Sequence, residues 1–148
     1  MYTGLKSSLA ALVLVLAFLM PARAETYQTR VKVIHASKGT AHVDPGIQGI
    51  VREIRPVFNY TSFKMVKEKS MSLSEGQKGR LSLPGKRALV ISPEGRQGDR
   101  LKYHIRINAN GRPVFQTRVM LKNNSSVTIG GPKFKKGALL FNIGGRAR

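Results

Sequence analysis

The chain has 148 residues, 41% of them hydrophobic, and its 26 basic residues against 7 acidic ones give a formal net charge of +19. It contains no cysteine, which excludes disulfides, thiol nucleophiles and cysteine-ligated metals. A basic excess of this size favours anionic partners through long-range attraction, although charge that only keeps a protein soluble fits the same composition.

The first 24 residues have the three-part pattern of a cleavable secretory signal peptide. The first six carry a positive charge and no acid, residues 9–20 are all apolar, and Ala22-Arg23-Ala24 places small side chains where a signal peptidase reads them. The alternative is an uncleaved anchor, for which the apolar run is short. We expect a periplasmic or secreted protein whose mature part has no transmembrane span.

Cleavage would leave residues 25–148 as a single basic, β-rich domain. Two basic residues and no acids lie in the signal, so this domain keeps 24 basic and 7 acidic residues and a net charge of +17. Its length is that of one domain with a single hydrophobic core.

The first element of the domain is a predicted half-buried strand, because residues 27–33 alternate between apolar and polar types. One face carries Tyr27, Thr29, Val31 and Val33, and the other carries Gln28, Arg30 and Lys32.

After this strand, the apolar residues recur at helical spacing. Asp44 is placed to cap a helix, Pro45 suits its first turn, and Pro56 disfavours its continuation. The apolar stripe of this helix is Ile47, Ile50, Val51 and Ile54. We therefore expect one amphipathic helix of about three turns. The strands expected to bury it supply Val31, Val33, Ile105, Ile107, Val119 and Leu121.

The rest of the chain predicts strands and turns. Two short strands, 63–66 and 71–73, flank a charged stretch, and Pro84-Gly85 predicts a turn. Residues 101–107 and 115–121 alternate around Asn110-Gly111, which predicts a tight hairpin. Two last strands, 127–129 and 138–143, are expected to be separated by Gly130-Gly131-Pro132 and a basic loop.

The order of strand, helix and then many strands predicts an α+β fold. Its expected form is a mostly antiparallel β-sheet with one amphipathic helix packed on it, and the alternative is a β-sandwich. Repeating strand–helix units are absent from the pattern, which disfavours a doubly wound nucleotide-binding fold.

The only cluster of potential acid–base groups contains His35, His42 and Asp44. Histidine and aspartate can orient one another for proton transfer or ligate zinc, but the spacing matches no metal motif. No cofactor-binding motif and no nucleophile elbow is present. We therefore predict no metal, no cofactor and no catalytic residues, and keep as the alternative a small exported enzyme that uses this cluster.

Basic residues concentrate at predicted solvent-facing strand positions, which are expected to form one positive sheet face, and in one loop. The polyanion-binding residues predicted from this pattern are Arg30, Lys32, Lys102, Arg106, Arg118, Lys122, Lys133, Lys135 and Lys136. The leading hypothesis is an exported, non-catalytic binding or assembly module of the cell envelope. Its expected partner is an envelope protein, an anionic polymer or a lipid surface. Specific nucleic-acid recognition is not expected. Exposed sheet edges, which can accept a partner strand, support the hypothesis of an assembly module.

Overall fold

The computed structural model describes residues 24–148, so the predicted signal peptide lies outside the described residues except for Ala24. Nine strands and one short α-helix make up most of the described chain. In chain order the elements are β1 (Thr26–Ser37), β2 (His42–Val43), a 3-10 turn (Pro45–Ile47), α1 (Gln48–Ile54), β3 (Ser62–Ser74), β4 (Gly79–Leu83), β5 (Arg87–Gln97), β6 (Arg100–Ala109), β7 (Arg112–Lys122), β8 (Ser125–Phe134) and β9 (Gly137–Ala147).

The strands form two sheets. The first, sheet A, has the order β2-β3-β1-β9-β8, and the second, sheet B, has the order β4-β5-β6-β7. Every pairing is antiparallel except the two-residue contact of β2 with β3. The prediction of a mostly antiparallel β-protein with a single helix is therefore confirmed for the described residues.

One hydrophobic cluster is built from the inner faces of both sheets. From sheet A it takes Tyr27, Val31, Val33, Leu73, Leu139, Phe141 and Ile143, and from sheet B it takes Leu81, Leu83, Leu89, Ile91, Leu101, Tyr103, Ile105, Ile107 and Leu121. Within it, the Thr29 hydroxyl and the Tyr103 hydroxyl share a hydrogen bond of 2.8 Å. The predicted inner face of β1 is thus confirmed.

The helix packs on the opposite side of sheet A, where a second cluster is formed. It contains Ile34, Ala36, Ile47, Val51, Ile54, Phe63 and Leu140. The prediction that the helix covers Val31, Val33, Ile105, Ile107, Val119 and Leu121 is therefore wrong. The physical reason is that beyond Val33, where the register with β3 shifts, the outer face of β1 becomes apolar and buried at Ile34 and Ala36, and the helix covers these residues.

The helix is also shorter than expected. A three-residue 3-10 turn precedes a seven-residue α-helix, and the Asp44 side chain makes no cap hydrogen bond. Its carboxylate instead accepts hydrogen bonds from His42 Nε2 at 2.6 Å and from the Met65 backbone N–H at 2.7 Å. Asp44 therefore ties the start of the helix to β3.

The charged stretch 67–69 does not interrupt β3, contrary to expectation, because two of its lysines point inward at the edge of the sheets. Lys67 Nζ donates to the Ser82 carbonyl at 3.3 Å, and Lys69 Nζ donates to the Arg80 carbonyl at 2.7 Å. Both carbonyls belong to the neighbouring edge strand β4. Each ammonium group thus bonds to β4 with one of its three donors while the rest stays exposed, and the strand continues through the charged stretch.

The hairpin of β6 and β7 is confirmed. Asn110 and Gly111 have positive φ angles of 51° and 78°, as a tight reversal requires. The expected break at Gly130-Gly131-Pro132 is wrong, because these residues lie within β8 as a register shift. A Cβ on Gly131 would overlap the Phe141 ring, so glycine lets β8 lie close to β9 there.

Candidate functional site

A cleft of about 540 Å³ lies on the outer face of sheet A, beside the helix. We call it the outer groove. Its polar lining consists of Gln28, Arg30, Lys32, Ser70, Asn124, Ser125, Ser126, Asn142 and Arg146, with Ile50 and Met71 among its apolar contributors. The groove is therefore concave, polar and basic.

Strand alternation brings three cations of the outer groove together. Arg30 and Lys32 are two residues apart on β1 and so share a face. On β9, Arg146 is opposite Gln28 and Gly144 is opposite Arg30. Arg146 therefore lies on the same face, two residues along β9 from the position beside Arg30. At Gly144, an added Cβ would meet no atom closer than 3.7 Å. The missing side chain leaves the space between the cations open.

Neutral hydrogen-bonding groups line the rest of the groove. Asn142 is only 6% exposed, and its amide nitrogen donates to the hydroxyls of Ser126 at 3.2 Å and Thr128 at 2.9 Å. These two bonds fix the orientation of the amide. Arg30 Nε also donates to the Ser70 hydroxyl at 3.3 Å. Much of the polar lining is thus held in place by contacts across neighbouring strands.

The charge of the outer groove is only partly compensated. Glu68 lies at 3.6 Å from Arg30 Nε and is opposite Lys32 in the strand pairing. Within residues 24–148, no carboxylate comes within salt-bridge distance of Lys32 or Arg146. Concave walls of one sign focus the electrostatic potential, so this groove favours an anionic occupant.

The predicted polyanion-binding residues do not share one face. Arg30 and Lys32 line the outer groove on sheet A. By contrast, Lys102, Arg106, Arg118 and Lys122 lie on β6 and β7, on the outer face of sheet B. The expectation of a single continuous sheet face is wrong, because the two groups of strands belong to different sheets whose inner sides face each other.

The positive charge on the basic face of sheet B is partly compensated. Arg118 Nε donates to both carboxylate oxygens of Glu94, at 3.2 and 3.0 Å. The Nε atom of Arg106 is buried and has no hydrogen-bond partner in the described chain. The Arg118 guanidinium is therefore less available to an external anion than its sequence position suggests, and the Nε atom of Arg106 is not exposed to one.

The three lysines of the basic loop lie at the turn between β8 and β9. Lys133 and Gly137 are at the two sides of this turn, and Gly137 is opposite Ser37, at the end of β1 away from the groove. Lys135 lies with its ammonium group 5.3 Å from the centroid of the Phe134 ring. With Lys136, these residues form a third basic region, separate from the other two.

The proposed acid–base cluster is divided between two environments. His35 Nε2 lies 3.2 Å from the Phe134 carbonyl and its ring packs edge-on against the Phe134 ring. His42 instead bonds to Asp44, and the pKa of that carboxyl lies below its usual value because of this bond and the Met65 N–H. Across residues 24–148, no group of three or more His, Cys, Asp or Glu side chains is arranged to bind a metal.

Several groove residues carry no recognisable sequence signal. Asn142, Ser126 and Gly144 are ordinary strand residues in the sequence, and only strand pairing places them beside Arg30. Arg146 was recognisable as a basic residue near the C-terminus but not as a neighbour of β1. Its position depends on the pairing of the first and last strands of the fold.

Comparisons with known proteins show a distant likeness to one solved structure. No protein-family model matches the chain, and no curated protein matches it. Among solved structures, the chain is similar to the T2SS secretin XcpQ from Pseudomonas aeruginosa, with 9% sequence identity and a TM-score of 0.47. The match covers 97% of this chain but only 63% of that one. Overlap at this level transfers neither an activity nor a partner.

Within residues 24–148, no helix has the length and apolar character needed to cross a membrane.

Proposed function

We propose that this chain is an exported, non-catalytic binding module of the cell envelope whose outer groove binds anionic polymers. The observation that carries the proposal is the convergence of Arg30, Lys32 and Arg146 on one concave, hydroxyl- and amide-lined cleft. Guanidinium and ammonium groups pair with phosphate, sulfate or carboxylate, while the neutral groups pair with hydroxyls of the same polymer. The two sheets are proposed to form a sandwich that supports this groove.

The remaining basic residues are proposed to act at longer range. Those on the outer face of sheet B and in the loop between β8 and β9 lie outside the groove, but they add to the net charge of +17 predicted for the mature chain. Long-range attraction of this kind raises association rates and is weakened by salt. The groove would then supply the specific contacts.

The alternative of a small exported enzyme has less support. It requires His35 to act with His42 and Asp44. The hydrogen bond of His35 goes to β8, and His42 bonds to Asp44 at the edge of sheet A. Replacing both histidines by alanine should leave polyanion binding unchanged, whereas an enzyme of this type would lose its activity.

Binding is tested by retention of the purified protein on heparin, lipopolysaccharide and anionic vesicles over a salt series, with neutral vesicles as the control. The groove variant combines Lys32→Glu with Arg146→Glu. The matched control combines Lys102→Glu with Arg112→Glu, which changes net charge equally but leaves the groove intact. We expect the groove variant to elute at clearly lower salt than the control, because it loses direct contacts as well as attraction.

Equal shifts for the two variants would mean that only net charge acts, and would contradict the groove. Passage of the unaltered protein through every anionic matrix at low salt would contradict polyanion binding altogether. Export is tested separately by mass spectrometry of protein recovered from the producing cell. A chain that begins near Glu25 supports the signal peptide, and an intact chain that begins at Met1 contradicts it.

A further inference from the structure

The free edges of the two sheets are not equally protected. At β4, the Lys67 and Lys69 ammonium groups donate hydrogen bonds to the backbone carbonyls of Ser82 and Arg80. An edge strand whose carbonyls are already bonded to inward-pointing lysines cannot readily pair with another chain. The β4 edge is therefore blocked.

The two edges of sheet A are also interrupted. β2 pairs with the beginning of β3, and just beyond it the Asp44 carboxylate accepts a hydrogen bond from the Met65 N–H. On β8, the register shifts between Gly130 and Lys133, and Pro132 within that shift has no N–H to donate. The ring of Phe58 also lies over Gly130. Beyond β2, the outer side of β3 has no strand partner among the described residues, but Lys67 and Lys69 are opposite the buried Val33 and Val31 and so place charge on the inner face of that edge. Inward-facing charges of this kind protect an edge strand from pairing.

The edge of β7 differs from these. A register shift with Pro113 disturbs only its first residues, and residues 115–122 pair continuously with β6 on one side. On the other side, no strand of the described chain pairs with β7. Phe115 and Met120 on this strand are 42% and 44% exposed. This leaves eight residues of regular edge, long enough to accept a typical strand.

The charge of β7 indicates what kind of strand fits it. Arg112, Arg118 and Lys122 lie on β7, which contains no acidic residue. Pairing two copies through this edge would place like charges beside each other, which is destabilising. An acidic strand would gain instead, since its side chains would lie next to Lys122 and Arg118 on the outer face, where Arg118 is shared with Glu94. On the inner face it would meet Phe115 and Val119.

We infer that the β7 edge binds an extended segment of a partner protein in which acidic and apolar residues alternate. The segment adds to sheet B as a fifth strand, so its backbone bonds to β7, its acidic side chains face the outer side, and its apolar side chains face the inner side. This surface is distinct from the outer groove. The inference therefore goes beyond the proposed binding of polymers.

The probe is a synthetic peptide of eight alternating valine and glutamate residues, tested on the purified protein. We expect saturable binding and protection of the β7 backbone amides from hydrogen exchange, with little change on β3. Two control peptides keep the same length. One carries lysine in place of glutamate, and the other keeps the glutamates but has N-methylated valines that cannot donate backbone hydrogen bonds. Both should fail to protect β7. Equal protection by the N-methylated peptide, or none by the parent peptide, would overturn the inference.

A variant separates strand addition from simple charge attraction. Thr117→Lys places an inward-pointing lysine at the half-buried centre of β7, as Lys67 and Lys69 do beside β4. It adds a positive charge but blocks the edge, so we expect binding of the acidic peptide to weaken about tenfold or more. Thr117→Gln is the uncharged control and should bind nearly as the unaltered chain does. Equal or tighter binding by Thr117→Lys would show that charge alone acts and would overturn the inference.

The outer-groove variant with Lys32→Glu and Arg146→Glu should bind the peptide nearly as the unaltered chain does, since it leaves β7 intact. Sedimentation of the protein alone tests the competing occupant. A dimer abolished by Thr117→Lys would assign the edge to a second copy of the chain and overturn the acidic partner.

Discussion

Replacement of Ile54 by alanine tests whether α1 is held by the outer face of sheet A. Ile54 is 7% exposed and packs in the cluster with Phe63 and Leu140, whereas Ile50 on the same helix is only partly buried. Replacing a buried isoleucine by alanine costs about 2–5 kcal/mol through lost burial and the cavity that remains. Ile54 is the last residue of the helix, so its surroundings can relax, and the better helix propensity of alanine returns a few tenths of a kcal/mol.

We therefore expect the free energy of unfolding to fall by about 2 kcal/mol for Ile54→Ala and by less than about 1 kcal/mol for the matched control Ile50→Ala. Urea unfolding followed by circular dichroism measures both. With an m value of about 2 kcal/mol/M, the first change lowers the midpoint by about 1 M. A loss at Ile50 equal to or larger than that at Ile54 would refute the reasoning, because the helix would then bury a different face.

Other consequences concern glycines and polar contacts. Gly137→Ala should cost about 3 kcal/mol or more, because the added Cβ would overlap the Ala36 carbonyl, whereas Gly49→Ala meets no atom within 4 Å and should stabilise the helix by up to about 1 kcal/mol. Thermal unfolding distinguishes the two. Tyr103→Phe should cost about 1 kcal/mol in the same assay, since it removes a buried hydrogen bond to Thr29. The Asp44 carboxyl has a lowered pKa in the folded protein, so its stabilisation is complete above its unfolded pKa of about 3.9 and is lost as the pH falls through the folded value. The difference in unfolding midpoint between the unaltered chain and Asp44→Asn should therefore shrink as the pH falls below the unfolded pKa. A difference that stays constant with pH would contradict stabilisation by the ionised Asp44 carboxylate.

Local patterns predicted those features that depend on neighbouring residues in the chain. The alternation around Val31 and Val33 correctly gave the inner face of β1. Asn110-Gly111 correctly gave the β6–β7 hairpin, because its positive φ angles are set by the two residues themselves. By contrast, the side-chain role of Asp44 was misassigned. An aspartate can either cap a helix or accept a hydrogen bond from a neighbouring strand. Only the position of the Met65 N–H in space shows that Asp44 does the second.

The candidate site was only partly predictable for the same reason. Arg30 and Lys32 were recognised from their strand positions, but the sequence placed them on one surface with Lys102 and Arg118. Alternation shows which side of its own strand a residue occupies, but not which sheet that strand joins. The division between sheets A and B therefore had no local signal.

The sequence alone determined the strongly basic charge, the absence of cysteine chemistry, and a largely antiparallel β-fold with one helix. Each of these follows from composition or from periodicity over a few residues. The tertiary structure decided that Arg146 lies beside β1, that Lys67 and Lys69 block the β4 edge, and that β7 remains open. These features depend on pairings between residues far apart in the chain, such as the first strand with the last, and on the register of those pairings. The free energy that selects such pairings comes from burial shared by the whole core, so no single segment of the sequence encodes them.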